Sequence, residues 1–371
     1  MLQDRGEVSA DWGLRVSDRV KIDLGIWQGS DGPAKEFADA WVRCVAGSPH
    51  ANYTLSLDYL RHQAVRGEHS IAVLLEQEAR RGAMVLRESG DELVCGFPWR
   101  WQIVLEGADA AKPEGVTPED ADWFFAHAKR IAGSRRLRFF SPGQPEGPLA
   151  GYVAGYTVMI DLVHESEDQL AAALDPSRRR LARRSEKQGY MIDETVTAPM
   201  QRSFAELMIE MHDRRHGITS PPLTDVVESG EGWREWELPW HWLIVAAKDG
   251  VIGAGLGCGR MPNGMVDGRA SASSEEAMKA GANSLVWWEG IRRAKLAGHT
   301  WMNLCGSTTY KRQFGGVLVP IQCRLGGGLA NELPNLVEKM AKAARPVAAR
   351  MVKGLRDRAR RSTGKSSQGG A

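Results

Sequence analysis

The sequence predicts a mixed α+β fold in which two halves of the chain repeat one order of strands and helices. Three observations carry this prediction. The length of 371 residues exceeds that of one typical core, both halves alternate short strand patterns with amphipathic helices, and an arginine-rich helical segment joins the halves. We therefore expect an N-terminal domain at residues 1–165, a C-terminal domain at 166–330 and a basic tail at 331–371.

The composition is that of a soluble globular protein. Hydrophobic residues make up 43% and charged residues 25% of the chain, which are ordinary values. The five cysteines are odd in number and have no CxxC spacing, which argues against a disulfide framework and fits a reducing compartment. The first residues lack the apolar core of a secretory signal, and no run of 18 apolar residues occurs. These features predict a cytoplasmic location.

The N-terminal half contains one clear helix among several strand patterns. The helix is predicted over 117–133, because Thr117 and Pro118 precede a run of acids as at a helix start. The strand patterns lie at 70–77, 82–89, 92–105, 135–140 and 156–163.

The junction between the halves is predicted to be helical. Ser166 followed by acids is typical of a helix N-cap, and a second helix should run from Ser177 to Gln188 before Gly189. This second helix carries most of the arginines. A third helix follows in the sequence MQRSFAELMIEMHDRRHG.

The C-terminal half shows an antiparallel meander followed by a helix. Three strand patterns at 242–247, 251–259 and 265–273 are separated by turn signals that contain Asp-Gly and Asn-Gly. A helix over 283–297 has an apolar face and ends before Gly298. A strand, a short helix and a last strand complete the order βββαβαβ, which matches the first half and indicates an internal duplication.

The basic charge of the chain is concentrated in its tail. Residues 331–371 contain ten lysines and arginines against three acidic residues, in an amphipathic pattern. Two interpretations are open: the tail contacts an anionic membrane surface, or it docks on the body with a solvated basic end.

Four segments together resemble a known family. They are YTVMIDL, the arginine-rich RRRLARRSEKQG, the run RASASSEEAMKAGANSLVWWEGIRRAKLAG, and NLCGSTTYKRQFGG. In this order they resemble the Fem-type (FemAB-like) acyltransferases, which have two tandem GNAT-like domains around a central cleft and whose relatives include acetyltransferases of exopolysaccharide and cellulose clusters. Cys305 stands where the family tends to have glycine, and a full glycine-rich pyrophosphate loop is absent before the predicted helix at 283–297.

The resemblance implies N-acyl transfer and assigns candidate catalytic residues. Tyr310 would donate a proton to the leaving group, and Lys311 would stabilise developing negative charge. A bulged or splayed strand near Ala270 to Ser273 would supply an oxyanion-binding N–H, so Ser273 joins this set. The alternatives are that Tyr310 packs in the core and that Lys311 lies on a solvated helix face.

A second group of residues is predicted to bind substrate or phosphate. Its members are polar or basic side chains near the expected cleft: Arg183, Arg184, Arg312, Arg215, His212 and Asn283. For the arginine-rich helix, contact with RNA or nucleotide phosphates and a purely solvated face are both open. His212 and His216 have the spacing of a zinc motif, but no third ligand is evident, so no metal is expected. The glycine-rich run at 253–259 is interpreted as a closely approached strand.

The expected function is transfer of an acyl or aminoacyl group to an amine on a sugar, peptide or cell-envelope precursor. The donor, acyl-CoA or aminoacyl-tRNA, stays open, and no tightly bound cofactor is expected. Expected partners are the acceptor, tRNA for an aminoacyl donor and the inner membrane face through the basic tail, but not DNA. Two alternatives remain: an acyl-CoA-dependent acetyltransferase of exopolysaccharide biosynthesis, and a non-catalytic binding subunit.

Overall fold

A computed structural model describes residues 20–27, 32–145, 151–193, 196–216 and 238–327. The predicted tail at 331–371 lies outside the described residues. The described strands, in chain order β1 to β13, are Lys21–Ile26, Ser70–Gln77, Arg80–Ser89, Glu92–Cys95, Ile103–Leu105, Arg136–Pro142, Tyr152–Asp161, Met191–Asp193, His241–Lys248, Val251–Arg260, Val266–Ser273, Trp301–Asn303 and Val317–Gly326. The described helices, α1 to α9, are Lys35–Ala46, Leu57–Val65, Pro118–Ala132, Glu167–Ala173, Pro176–Lys187, Ala198–His216, Glu275–Ala280, Ala282–Leu296 and Thr309–Arg312.

All these strands belong to one mixed sheet, which confirms the predicted mixed α/β fold. The strand order is β1-β2-β3-β4-β6-β13-β7-β12-β11-β10-β9-β8, and β5 pairs with β3. The largest core lies between the C-terminal half of the sheet and α8, around Trp287 and Phe314. A second large core lies under α3, around Phe124 and Phe139.

The two halves exchange strands at the centre of the sheet. The last strand, β13, is antiparallel to β6 of the first half and to β7. Strand β7, which follows β6 in the chain, pairs in turn with β12 of the second half. Hydrogen bonds therefore tie the halves together across the sheet. The domain boundary at residue 165 stays a prediction. Strand β13 belongs to the second half of the sequence but lies beside strands of the first half.

Strands β11 and β12 are parallel neighbours that separate soon after they meet. Their pairing consists of Val266 with Met302 and Asp267 with Asn303. Beyond these pairs β12 ends, whereas β11 continues to Ser273. We call the opening between β11 after Asp267 and β12 after Asn303 the fork. Beyond these pairs the backbone of the loop after β12 no longer pairs with β11.

The prediction of one strand over 92–105 is wrong. The chain forms β4 and β5 with a turn between them, in which Phe97 and Arg100 exchange backbone hydrogen bonds of 2.7 and 3.1 Å. Gly96 has a positive φ of 82°, and Pro98 has no N–H to give to a strand ladder. The turn brings Arg100 into the interior, where it is only 8% exposed.

The predicted helix starts in the first half and at the junction are confirmed. Thr117 forms a capping box with Asp120, and Ser166 forms one with Gln169. The helix predicted over 283–297 is α8, and a short additional helix, α7, precedes it. Gly281 joins the two helices with a φ of 96°. Within the described parts of the chain, every helix is too short or too polar to cross a membrane.

The interpretation of the glycine-rich run as a closely approached strand is confirmed. A Cβ atom on Gly255 would lie 2.4 Å from the ring of Phe204, and one on Gly259 would lie 2.3 Å from the ring of Tyr53. Both rings are fully buried and leave no room for a methyl group.

We expect Gly259→Ala to lower the free energy of unfolding by about 1–3 kcal/mol, because the added methyl overpacks against Tyr53. Chemical denaturation followed by fluorescence measures the change. Gly32→Ala is the matched control, since the nearest atom to its added Cβ is 3.4 Å away. Equal stability of the two variants would contradict the packing described for Gly259.

Candidate functional site

The chain after β12 makes a tight loop at the fork. The backbone N–H of Cys305 donates to Asn303 Oδ1 at 2.8 Å, and that of Gly306 donates to Thr157 Oγ1 at 3.0 Å. Cys305 itself has a φ of 52°, in the left-handed region that favours glycine. The loop therefore keeps a backbone shape suited to glycine although the side chain here is a cysteine.

Lys311 fixes this loop from the short helix α9. Its Nζ donates to the carbonyl oxygens of Leu304 and of Cys305, the latter at 2.7 Å, and lies 5.7 Å from the ring centre of Trp287. Burial lowers the pKa of Lys311 below its usual value of 10.5. These carbonyls use two of the three ammonium donors. The structure therefore places a half-buried positive charge at the end of β12, beside the fork.

Tyr310 lies next to Lys311 in sequence but packs in a different place. Its ring stacks edge-on against Phe314 at 5.1 Å and beneath the guanidinium of Arg178 at 4.5 Å. The hydroxyl is buried beside Ser284, Arg178 and Asn283. Burial raises the pKa of Tyr310 above its usual value, and the neighbouring polar groups offset this only in part. The phenol is therefore protonated at neutral pH.

Arg178 belongs to this site, although the sequence interpretation chose Arg183 and Arg184 from the same helix. Its Nε donates to Gln313 Oε1 at 2.8 Å, and its Nη1 donates to Ser284 Oγ at 3.4 Å. It thereby links α5 to the first turn of α8 and to α9. The sequence contained a signal that Arg178 faces inward. Ala182 and Ser185, the two buried residues of α5, lie at i+4 and i+7 from Arg178 and therefore on the same face of the helix.

The other predicted site residues are spread over the second half. Arg183 and Arg184 are exposed on α5, away from the packed face of that helix. Arg312 is exposed and donates from Nε to the carbonyl oxygen of Ser307 at 2.9 Å. Asn283 lies in the first turn of α8, next to Tyr310. The structure thus brings Tyr310 and Asn283 together at the start of α8, places Lys311 at the fork, and leaves Arg183 and Arg184 exposed on α5.

The remaining predictions concern β11 and α6. Ser273 is buried at the end of β11, and its carbonyl oxygen accepts a hydrogen bond from Arg214. The expected strand irregularity near Ala270 is present as a bulge at Arg269, which faces the step from Gly257 to Cys258 on β10. The side chains of His212, Arg215 and His216 lie outside the described residues. The described residues contain no group of three or more potential metal ligands.

A buried polar cluster joins the two halves beneath the fork. Arg100 Nη1 donates to the hydroxyl oxygen of Tyr53 at 2.6 Å and lies 3.6 Å from Asp267 Oδ2. The guanidinium groups of Arg100 and Arg269 each lie 5.2 Å from the ring centre of Tyr53. Burial raises the pKa of Asp267, which is 0% exposed, although Arg100 and Asn303 oppose this. The carboxyl therefore holds Arg100 in place and does not itself reach solvent.

Asp267 also contacts the loop at the fork. Its Oδ1 lies 3.8 Å from Cys305 Sγ. Burial, together with the negative charge of Asp267, raises the pKa of the Cys305 thiol to about 12. A thiol with this pKa is protonated at neutral pH and is a poor nucleophile. A contact chain thus runs from Arg100 through Asp267 and Cys305 to the ammonium of Lys311.

A polar cavity of about 240 Å³ opens where the two halves meet. We call it the arginine pocket, because Arg66, Arg87, Arg100 and Arg269 line it. Its other lining residues are aromatic or polar: Tyr53, Tyr59, His62, Gln63, Glu68, Phe97, Trp240 and His241. Apart from Arg269 at the bulge, these residues lie outside the stretches that the sequence interpretation singled out for catalysis or phosphate binding.

Comparison with solved structures identifies the fold. A crystal structure of FemX matches 82% of this chain and 98% of its own, with a TM-score of 0.55 and 13% sequence identity. A tandem GNAT protein from the clavulanic acid biosynthesis pathway matches 83% of this chain and 99% of its own, with a TM-score of 0.44 and 12% identity. No protein-family model and no curated protein sequence matches the chain. The similarity to FemX confirms the predicted Fem-like fold.

Proposed function

We propose that the protein is an N-acyltransferase that transfers an acyl or aminoacyl group to an amine on a sugar, peptide or cell-envelope precursor. The observation that carries this proposal is Lys311, whose ammonium is fixed by two strand-end carbonyls at the fork. A fixed, half-buried positive charge is suited to stabilising the oxyanion that forms when an acyl carbonyl is attacked. The Fem-like fold supports the same class of reaction.

In the proposed reaction the acceptor amine attacks the acyl carbonyl carbon, and the new bond is carbon to nitrogen. The carbonyl oxygen becomes an oxyanion beside Lys311, and the bond to the leaving sulfur or oxygen then breaks. Tyr310, protonated at neutral pH, is the candidate donor of a proton to the leaving group, and the proton lost by the amine restores it. The raised pKa of Cys305 favours this direct transfer over an acyl-cysteine intermediate.

The start of α8 is the proposed site for phosphate groups of the donor. Gly281 is the N-cap of helix α8 and offers no side-chain cap, and Arg178 is held beside the first turn of the helix. A helix N-terminus and an arginine together favour a phosphate. Acyl-CoA and aminoacyl-tRNA both carry phosphates, so this site suits either donor.

We expect Arg178→Gln to weaken donor binding by about tenfold or more, since it removes a charge-assisted contact. The donor is identified with the wild-type protein, by testing whether acetyl-CoA, a longer acyl-CoA or a pool of charged tRNA protects it against thermal unfolding. Titration with that donor then compares the affinities of the variants. Arg43→Gln on α1 is the control, because Arg43 is exposed and lies in the other half. Protection by none of the donors would contradict the proposed function, and equal protection of both variants would remove Arg178 from it.

The pH dependence of the reaction tests the charge on Lys311. Burial lowers the pKa of Lys311 below 10.5. Activity that needs the charged ammonium should therefore fall as the pH rises, and this fall should begin below pH 10.5. In Lys311→Arg the guanidinium stays charged throughout, so the activity that remains should persist to higher pH. The ratio kcat/KM, measured from about pH 7 to pH 11 and normalised for each protein, gives the comparison. If kcat/KM falls at the same alkaline pH in both proteins, a group other than Lys311 causes the fall.

A further inference from the structure

The arginine pocket has a strong excess of positive charge for its size. Among the described residues, four arginines and one glutamate line it, so with neutral histidines these side chains carry four minus one, or +3. Asp267, behind Arg100, reduces this to +2 when it is ionised. Glu68 lies 3.8 Å from Arg87 and therefore offsets one arginine at the rim. A small cavity with this charge is suited to an anion.

Two buried donors in the wall of the pocket support the same conclusion. Arg100 and Trp240 are 8% and 6% exposed, and Arg100 Nε and Trp240 Nε1 are buried without a hydrogen-bond partner among the described residues. Leaving a buried donor unpaired costs free energy, and a bound acceptor group would satisfy it.

The pocket and the proposed donor site lie on opposite faces of the sheet. On β10, Gly259 faces Tyr53, and it pairs with Asp267 on β11. The next residue on β11, Gly268, faces Trp287 of α8 on the other side, at 2.7 Å from a built Cβ. The fork lies between these faces, and the contacts from Arg100 through Asp267 and Cys305 to Lys311 cross it. A donor beside α8 and an acceptor held on the Tyr53 side would therefore meet at Lys311.

We propose that the arginine pocket binds a phosphate or carboxylate group of the amine acceptor. This inference rests on the proposed function, and it adds that the acceptor carries an anionic group remote from its amine. The cavity of about 240 Å³ is smaller than the roughly 300–1,000 Å³ of pockets that enclose whole drug-sized ligands. It holds the charged group, and the amine-bearing part extends toward the fork.

Calorimetric titration at low ionic strength tests the pocket directly, with pyrophosphate and citrate as the two probes. The double variant Arg66→Gln/Arg87→Gln should weaken the preferred probe by about tenfold or more. Glu68→Gln should strengthen it, because it removes the negative charge at the rim. Arg61→Gln, on the exposed side of α2, should leave it unchanged. A preference for pyrophosphate indicates a phosphate acceptor, and a preference for citrate indicates a carboxylate.

The outcomes separate this inference from the proposed function. Equal affinity of the wild-type protein and the double variant for both probes would overturn the pocket assignment. Probe binding that depends on Arg66 and Arg87 in a protein that consumes no acyl donor would support an anion site and contradict the acyltransferase proposal. If the protein transfers acyl groups but the double variant keeps the wild-type KM for the acceptor, the acyltransferase proposal stands and the anion site in the arginine pocket is contradicted.

Discussion

Replacement of Lys311 by methionine is expected to lower kcat for acyl transfer by about a hundred- to a thousandfold, because an oxyanion loses its fixed positive partner. The free energy of unfolding should fall by about 1–3 kcal/mol as well, since the carbonyls of Leu304 and Cys305 lose their donor. Single-turnover rates and denaturant unfolding measure the two effects separately. The rate should fall even at a temperature where the variant is fully folded.

Lys35→Met is the matched control for this prediction. Lys35 is 85% exposed and pairs with Asp39 on the same helix, so both the rate and the stability should stay within error of the wild-type values. A folded Lys311→Met protein with an undiminished rate would contradict the role given to Lys311. It would leave the lysine as a structural link between α9 and the loop after β12.

Replacement of Arg100 by methionine is expected to lower the free energy of unfolding by about 3–5 kcal/mol, because Asp267 is left buried without its cationic partner. The double variant Arg100→Met/Asp267→Leu removes both charges and should recover much of this loss. Urea unfolding of the wild-type protein, both single variants and the double variant completes the thermodynamic cycle.

Arg135→Met provides the comparison with an exposed ion pair. Arg135 contacts Glu88 at 2.7 Å, but both side chains are about one-third exposed, so the loss should be about 1 kcal/mol or less. If Arg100→Met cost no more than Arg135→Met, the buried pair would not hold the two halves together as described. The cluster would then be dispensable for the shape of the arginine pocket.

The local elements of this fold could be predicted from sequence, because their signals are local. The meander β9–β11 follows from short apolar runs separated by Asp-Gly and Asn-Gly turns, and the helix starts at Thr117 and Ser166 follow from capping residues. The strand exchange could not be predicted in the same way. Strand β13 pairs with β6, which lies far away in sequence, and nothing within either strand specifies that partner.

The site shows the same division between local and distant information. Lys311 was found because it sits in a motif that resembles a known family. Arg100 was hidden inside a run that favours a strand, and only the turn at Gly96 and Pro98 directs it inward. Among the arginines of α5, Arg178 was overlooked because the number of charges drew attention to Arg183 and Arg184. The small residues in line with Arg178 marked the packed face of the helix.

The most direct test of the acyltransferase proposal is mass spectrometry of an amine acceptor after incubation with the wild-type protein and each isotopically labelled donor. We expect labelled amide in the acceptor with one class of donor, acyl-CoA or aminoacyl-tRNA, and at least about a hundredfold less with Lys311→Met. Acceptors with and without a phosphate or carboxylate group belong in the same panel. No labelled amide from any donor, with folded protein and intact donors, would contradict the proposal.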